Sequence, residues 1–141
     1  MTVDIICPLY NARNYIMDLH QNIKKQKNVE VLSINYVVTK TNDNIEEILE
    51  SLDCNYEMIE REEFSHSLTR ERMANKCKAD IIVFITQDVI IKSESWLKNL
   101  IRGIEENECE AAFSRQICTN STIEKYTRER NYPDKSYVKT K

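Results

Sequence analysis

A lone carboxylate, Asp88, follows the apolar run D-I-I-V-F-I (Asp80 to Ile85) by way of Thr86 and Gln87. At the mouth of a buried strand such a group suits a divalent cation, which takes oxygen ligands and bridges a diphosphate. Its other reading is a residue that turns or caps the chain. Arg70 and Arg115 carry guanidinium forks that match phosphate or sugar oxygens, and are otherwise ordinary surface arginines. His66 offers a proton shuttle or a donor to a ligand, roles that most solitary histidines do not have. Cys7, Cys54, Cys77, Cys109 and Cys118 form no C-x-x-C pair, and His20 and His66 stand far apart, so a structural zinc site is not expected. The cysteines read instead as buried free thiols of a reduced compartment. Tyr10, Tyr126 and Tyr132 read as surface-packing aromatics.

Composition narrows the chemistry further. The 141 residues make one domain, and 41% hydrophobic with 30% charged residues is enough for a core. A net charge of −3 excludes the strongly basic balance of a nucleic-acid binder. The charge is uneven: from Thr122 to Lys141 there are six Lys/Arg against three Asp/Glu. Glycine occurs once, at Gly103, which excludes a P-loop and a G-x-G-x-x-G turn. Any nucleotide site must therefore use carboxylates and other side chains rather than a glycine cradle. The longest apolar run is the five residues from Ile81 to Ile85, and no basic-then-apolar leader opens the chain. The expectation is a cytoplasmic protein with no transmembrane segment.

The elements that must position these residues alternate along the chain. Val3 to Cys7 is a β-branched run stopped by Pro8, a first strand. Ile16, Leu19 and Ile23 recur at helical spacing, which predicts a helix from about Ala12 to Gln26. Val31 to Val38 is a second strand, and Ile45, Ile48, Leu49 and Leu52 make a second helix capped by Asn44 or Asp43. Tyr56 to Ile59 is a short third strand, and Ser67 or Thr69 caps a helix running to about Lys78. Asp80 to Ile85, apolar on both faces, reads as a central parallel strand. Trp96 to Ile104 predicts a helix ending near Gly103 or Asn107; Ala111 to Ile117 reads as a fifth strand; Thr122 to Arg130 is helical and the rest a polar tail. Strict alternation predicts an α/β fold, a three-layer α/β/α sandwich with a mainly parallel sheet. Ligands then bind at the carboxyl ends of the strands, so the residues after each strand carry the site.

Those strand ends have a familiar look. V-D-I-I-C-P-L-Y-N (Val3 to Asn11) resembles the opening strand and P-x-Y-N loop of family-2 glycosyltransferases. E-F-S-H-S-L-T-R (Glu63 to Arg70), F-I-T-Q-D-V (Phe84 to Val89) and S-R-Q (Ser114 to Gln116) resemble the rhamnosyltransferase branch, whose usual forms are F-x-H-G-x-T-R-N, x-L-T-Q-D-A and G-R-Q. N-Y-P at Asn131 to Pro133 fits that branch too, and the motifs run in order over nearly the whole chain. The resemblance implies a GT-A fold, a sugar–nucleoside diphosphate donor, a saccharide acceptor, inverting transfer and a divalent cation, Mg or Mn. It assigns Asp88 as ligand of the metal and diphosphate, because T-Q-D stands where that fold carries D-x-D. It implies that Pro8, Tyr10 and Asn11 line the nucleoside pocket, that His66 and Arg70 border the donor, and that Gln87, Arg115 and Gln116 sit near the sugar.

Some positions depart from the pattern. The acidic D-x-S-x-D turn is T-K-T-N-D here (Thr39 to Asp43), so only Asp43 remains of it as a donor-site carboxylate. Ser67 replaces the usual Gly, Glu71 the usual Asn, and Thr86 the first carboxylate of D-x-D. On this reading residues 1–121 form a partial donor-binding domain and 122–141 a basic C-terminal segment. Only 25 residues follow Gln116, with Glu124, Glu129 and Asp134 their only carboxylates, so the catalytic base is not expected in this chain and the isolated chain is not expected to transfer sugar. A sheet left incomplete exposes an edge, which predicts self-association, with a homodimer as the simplest outcome. Two other classes compete. A response-regulator-like signalling domain needs an acidic pair after the first strand and a Lys after the fifth, where this chain has Pro8-Leu9 and Arg115-Gln116. A non-catalytic remnant would bind without turnover.

Overall fold

β1 (Thr2–Leu9) is inward-facing on both sides, with Val3, Ile5, Ile6 and Cys7 fully buried, and it takes one of the two interior places in the sheet. In the computed structural model, which describes residues 1–118 and 122–139, four strands pair in the order β3-β2-β1-β4. All three pairings are parallel, between β1 and β2 (Glu30–Thr39), β2 and β3 (Asn55–Ile59), and β1 and β4 (Ile81–Phe84). The helices are α1 (Ile16–Lys24), α2 (Glu46–Leu49), α3 (Leu68–Ala74), α4 (Trp96–Asn107) and α5 (Ile123–Asn131), with a short 3-10 turn at Arg61–Glu63. The chain forms two compact units, Met1–Lys98 and Asn99–Lys141. The predicted α/β class with a parallel sheet is the one observed.

Side-chain parity puts helices on both faces of the sheet in the first unit. Tyr36 of β2 is fully buried and its hydroxyl meets Nδ1 of His20, on α1, at 3.1 Å. The neighbouring position Val37 points the other way, into a cluster with Ile6, Ile59 and Met73 of α3. Successive strand residues face opposite sides, so α1 and α3 cover opposite faces. Each fully buried Ile or Leu there contributes about 1.5–3 kcal/mol by leaving water.

Three expectations give way. The run before Thr86 is not central: β4 closes the described sheet at one end and its Phe84 is 48% exposed. No strand forms over 111–117; the segment is largely exposed, and without a partner ladder its alternation buries nothing. β1 also runs through Pro8 instead of stopping before it. Ile6 faces β4, because its carbonyl accepts from the Ile85 N–H at 3.0 Å, and Pro8, two residues on, faces the same way. The β4 ladder has ended by then, at Ile6 with Phe84, so the N–H that proline lacks has no partner to lose.

Among the described residues, three of the four left-handed positions are asparagines, and the fourth is Glu108 at φ 49°. Asn11, Asn28 and Asn44 have φ of 48°, 59° and 52°, a region that asparagine tolerates better than other non-glycine residues. Two of these three, Asn11 and Asn44, lie just beyond the carboxyl ends of β1 and β2.

The amino ends of the strands are held by a buried polar network. Asp4 accepts hydrogen bonds from Ser33 Oγ, from the Lys78 N–H at 2.8 Å and from the Ala79 N–H at 3.0 Å. A cavity of about 470 Å³ opens here, among Asp4, Ser33, Asn35, Met73, Cys77 and Lys78.

Burial of His20 has a consequence for pH. Burial lowers its pKa from the usual 6.5; the charge of Lys24 lowers it further, and Asp53 opposes both. The unfolded chain therefore binds this proton more readily, and stability falls as pH drops through 6.5. Thermal melts should show Tm constant above that pH and declining below it, with the decline reduced in His20→Gln. A Tm in the unmutated chain that does not change between about pH 7 and 5, either side of the ordinary histidine value of about 6.5, would count against this.

Candidate functional site

The strand order fixes where a ligand can sit. From β1 the chain steps outward to β2 and β3, then returns to β4 on the other side of β1. The strand order thus reverses between β1 and β4, and it is beyond the carboxyl ends of such a strand pair that α/β sheets form their ligand crevice. The loop after β1 brings Tyr10 and Asn11 to one wall, and the loop after β4 brings Gln87 and Asp88 to the other.

The two walls are joined by one side chain. Gln87 accepts from the Tyr10 N–H at 2.7 Å and donates through Nε2 to the Tyr10 carbonyl at 2.8 Å. Beyond it, Asp88 is exposed, as are Tyr10 and Asn11, while Pro8 is half-buried. Beneath the crevice lies the Cys7 thiol, which burial pushes up to about 12; Arg70 pulls it down and Asp88 pushes it up. Arg70, at the start of α3 after β3, and Asp88, in the loop after β4, both stand at the carboxyl end of the sheet.

Arg70 belongs to α3 and is tied to the preceding loop. Its guanidinium donates to the His66 carbonyl at 2.7 Å and lies 3.5 Å from His66 Nδ1. His66 is exposed and packs edge-on against Phe64, ring centroids 5.0 Å apart. Phe64 in turn joins the core cluster under α3, which anchors the F-S-H segment. Ser67 makes no side-chain cap to α3; the buried Thr69 instead accepts from the Ser65 N–H at 3.0 Å.

Asp43 is engaged with the loop after β1. Its carboxylate accepts from the Arg13 N–H at 3.3 Å and from Thr41 Oγ1 at 2.8 Å, and its carbonyl accepts from the Arg13 guanidinium at 3.1 Å. Arg13 also bonds the Asn44 carbonyl and pairs with Glu47 at 3.4 Å. Sequence reasoning missed Arg13, although it stands only two residues beyond Asn11 in the same loop. Thr39, where the acidic turn begins in the family pattern, is buried at the end of β2.

Arg115 and Gln116 lie in the second unit. Arg115 pairs with Asp134 and Gln116 accepts from Arg128 of α5, while Phe113 stacks edge-on with Tyr132 at 5.7 Å. The structure therefore brings Tyr10, Asn11, Asp43, Arg70, Gln87 and Asp88 to one end of the first unit's sheet and describes Arg115 and Gln116 in local contacts of their own.

Among the described residues, no group of three or more His, Cys, Asp or Glu is clustered to hold a metal. A cation at the crevice would rest on Asp88, with phosphate oxygens and water completing its shell, a donor set that magnesium-type sites accept. No helix among the described residues is long and apolar enough to cross a membrane.

Comparison with known proteins agrees with this fold. The profile of Glycosyl transferase family 2 matches residues 4–141. The O-antigen chain rhamnosyltransferase RfbN of Salmonella typhimurium is 28% identical over 147 residues, covering 100% of this chain and 46% of RfbN. The chain thus spans about half the length of that relative. Among solved structures, S. aureus TarS 1-349 in complex with UDP superposes with a TM-score of 0.64 at 22% identity, over 77% of this chain and 33% of that one. The mannosyltransferase PcManGT from Pyrobaculum calidifontis, in complex with GDP-Man and Mn2+, gives 0.60 at 20% identity, over 72% of this chain and 32% of its own. Strand order, crevice and profile meet on one assignment: this chain belongs to glycosyl transferase family 2.

Proposed function

We propose that this chain is the donor-binding half of a glycosyltransferase that moves a sugar, with rhamnose the leading choice, from a nucleoside diphosphate to a surface-polysaccharide acceptor. The observation that carries the reading is the placement of P-L-Y-N and T-Q-D on the two walls of the crevice between β1 and β4. RfbN, a rhamnosyltransferase by name, supports the sugar class and acceptor. The UDP on TarS and the GDP-Man with Mn2+ on PcManGT support a nucleotide donor and a divalent cation.

In this reading Pro8, Tyr10 and Asn11 face the nucleoside, and His66 and Arg70 border the diphosphate. Arg70, held by the His66 carbonyl, presents a guanidinium already oriented toward phosphate oxygens. Asp88 holds the cation, whose charge, when it is bound, stabilises the departing diphosphate. Transfer is an inverting displacement, in which the acceptor oxygen bonds the anomeric carbon as the bond to the diphosphate breaks. The base that takes the acceptor proton belongs to the acceptor half of the enzyme, so the 141-residue chain alone binds donor without transfer. The five free thiols support a reducing, cytoplasmic location.

A thermal-shift panel of nucleoside diphosphate sugars, with and without manganese, tests the reading. At a hundredfold excess over Kd a ligand of the folded state adds about 2.7 kcal/mol, which raises Tm by about 5 °C or more for a chain of this size. One donor should give that rise with manganese and a smaller one without. A panel in which no nucleotide shifts Tm overturns it.

The outer edge of β4 supports self-association of the isolated chain. Among the described residues no strand pairs with that edge, and Phe84 at its end is 48% exposed. Unpaired edges recruit strands. Sedimentation at ~100 µM, where even weak pairing is visible, should give a mass above the monomer's 16.7 kDa; a sharp monomer there rules it out.

A further inference from the structure

The loop from Tyr10 to Arg13 is gripped at both ends by loops from other strands. Gln87 holds the Tyr10 peptide at the β4 side, and Asp43 holds Arg13 at the β2 side. Between the grips lie Asn11, in the left-handed region at φ 48°, and Ala12, which is fully buried. Asparagine tolerates that conformation, and the two grips fix the chain on either side of it.

The grip at Gln87 has a chemical signature. Tyr10 presents one donor and one acceptor, and the side chain facing it must supply the complementary pair. A carboxamide does so, donating with Nε2 while accepting with Oε1; a carboxylate accepts only, and an alkyl or thioether chain does neither. Asparagine has the right group on a chain one methylene shorter. The reverse orientation of the amide would set donor against donor and acceptor against acceptor, so the pairing also fixes which way Gln87 points. The next residue is Asp88.

We infer that Gln87 is a positioning residue: its carboxamide clamps Tyr10 and thereby holds the nucleoside-facing loop at a fixed setting from Asp88. It acts through Tyr10 rather than by contact with the sugar. The inference rests on the donor-binding reading for its consequence, and on the two hydrogen bonds alone for the clamp. Preorganised loops bind more tightly because less ordering remains to be done on binding. The same clamp couples the two walls of the crevice, so occupancy at Asp88 and order at Tyr10–Arg13 rise together.

Amide hydrogen exchange of the nucleotide-free chain tests the clamp, and calorimetry tests its consequence. The variants are Gln87→Ala and the near-isosteric Gln87→Met, which keeps the packing and loses both hydrogen bonds, with Gln87→Glu as the acceptor-only form. In Gln87→Ala and Gln87→Met the Tyr10 amide should exchange at least about tenfold faster, while Ile5 and Ile6 in β1 keep their rates; two lost hydrogen bonds correspond to that factor or more. Affinity should fall about tenfold in both for whichever of UDP, GDP or dTDP the unmutated chain binds most tightly with Mn2+. Gln87→Glu should not restore it, because a carboxylate cannot donate to the Tyr10 carbonyl. Unchanged Tyr10 exchange in both variants overturns the clamp, since a residue that only touches ligand leaves the empty loop unaltered. Faster exchange at Ile5 and Ile6 as well makes Gln87 a general structural residue and overturns the inference. A loosened Tyr10 with undiminished affinity overturns the coupling. An unmutated chain that binds none of the three nucleotides overturns the donor-binding reading, and the exchange arm still decides the clamp.

Discussion

Asp88→Ala should abolish the manganese-dependent part of nucleoside diphosphate binding and leave the fold in place. Asp88 is exposed and lies beyond the end of β4, so it contributes nothing to the packing of the strand before it. Its neighbour Gln87 is bonded to the Tyr10 peptide, which holds Asp88 beside the loop after β1 rather than out on a free loop. With Asp43 committed to Arg13, Asp88 is the carboxylate there that remains open to a cation. Removing a charged partner from such a site costs about 1.5–3 kcal/mol or more, on the order of a hundredfold in affinity. Calorimetry with MnCl2 should give the variant the same weak affinity that the unmutated chain shows in EDTA. Thermal melting should move by no more than about 2 °C, as for an exposed substitution away from the core. Manganese-dependent affinity that survives in the variant removes Asp88 from the site.

The largest stability effect is expected at the opposite end of the strands. Asp4→Ala should destabilise the chain by about 2 kcal/mol, because three hydrogen bonds to the buried carboxylate are lost, at about 0.5–1.5 kcal/mol each, and its partners, none of them fully buried, recover only part of that from water. These bonds span 74 and 75 residues of sequence and fasten the entry of β4 to the start of β1. Asp4→Asn should recover part of the loss, since its Oδ1 can accept from both N–H groups while its NH2 faces the Ser33 hydroxyl, which can accept. Burial pushes the Asp4 carboxyl up, but hydrogen bonds from Ser33, Lys78, Ala79 and Cys77 outweigh it and leave the pKa below 3.8. A lowered carboxyl pKa means stability present above 3.8 and lost as pH falls below it, a window well separated from that of His20. Urea titration should show a lower midpoint with an unchanged slope. A loss under about 1 kcal/mol would mean that the network relaxes onto other partners.

Much of this was readable from local pattern. The β-branched run at Val3 to Cys7, the helical spacing of Ile16, Leu19 and Ile23, and the alternation of strands with helices determined the α/β class, because periodicity reports which faces are buried. The motif loops P-L-Y-N and T-Q-D could be assigned to strand ends for the same reason, and one glycine was enough to exclude a phosphate cradle. What local pattern could not decide was pairing. β1 and β4 are both apolar, and only the completed sheet shows that β1 is flanked on both sides while β4 closes the described sheet. Alternation at 111–117 looked like a strand, yet a strand exists only where a neighbour takes its hydrogen bonds. The partners of Gln87 and Asp43 lay out of reach as well, since Tyr10 is 77 residues from Gln87 and Arg13 is 30 from Asp43. Sequence determined which residues stand at the strand ends; the strand order, set by burial over the whole chain, decided which of them meet.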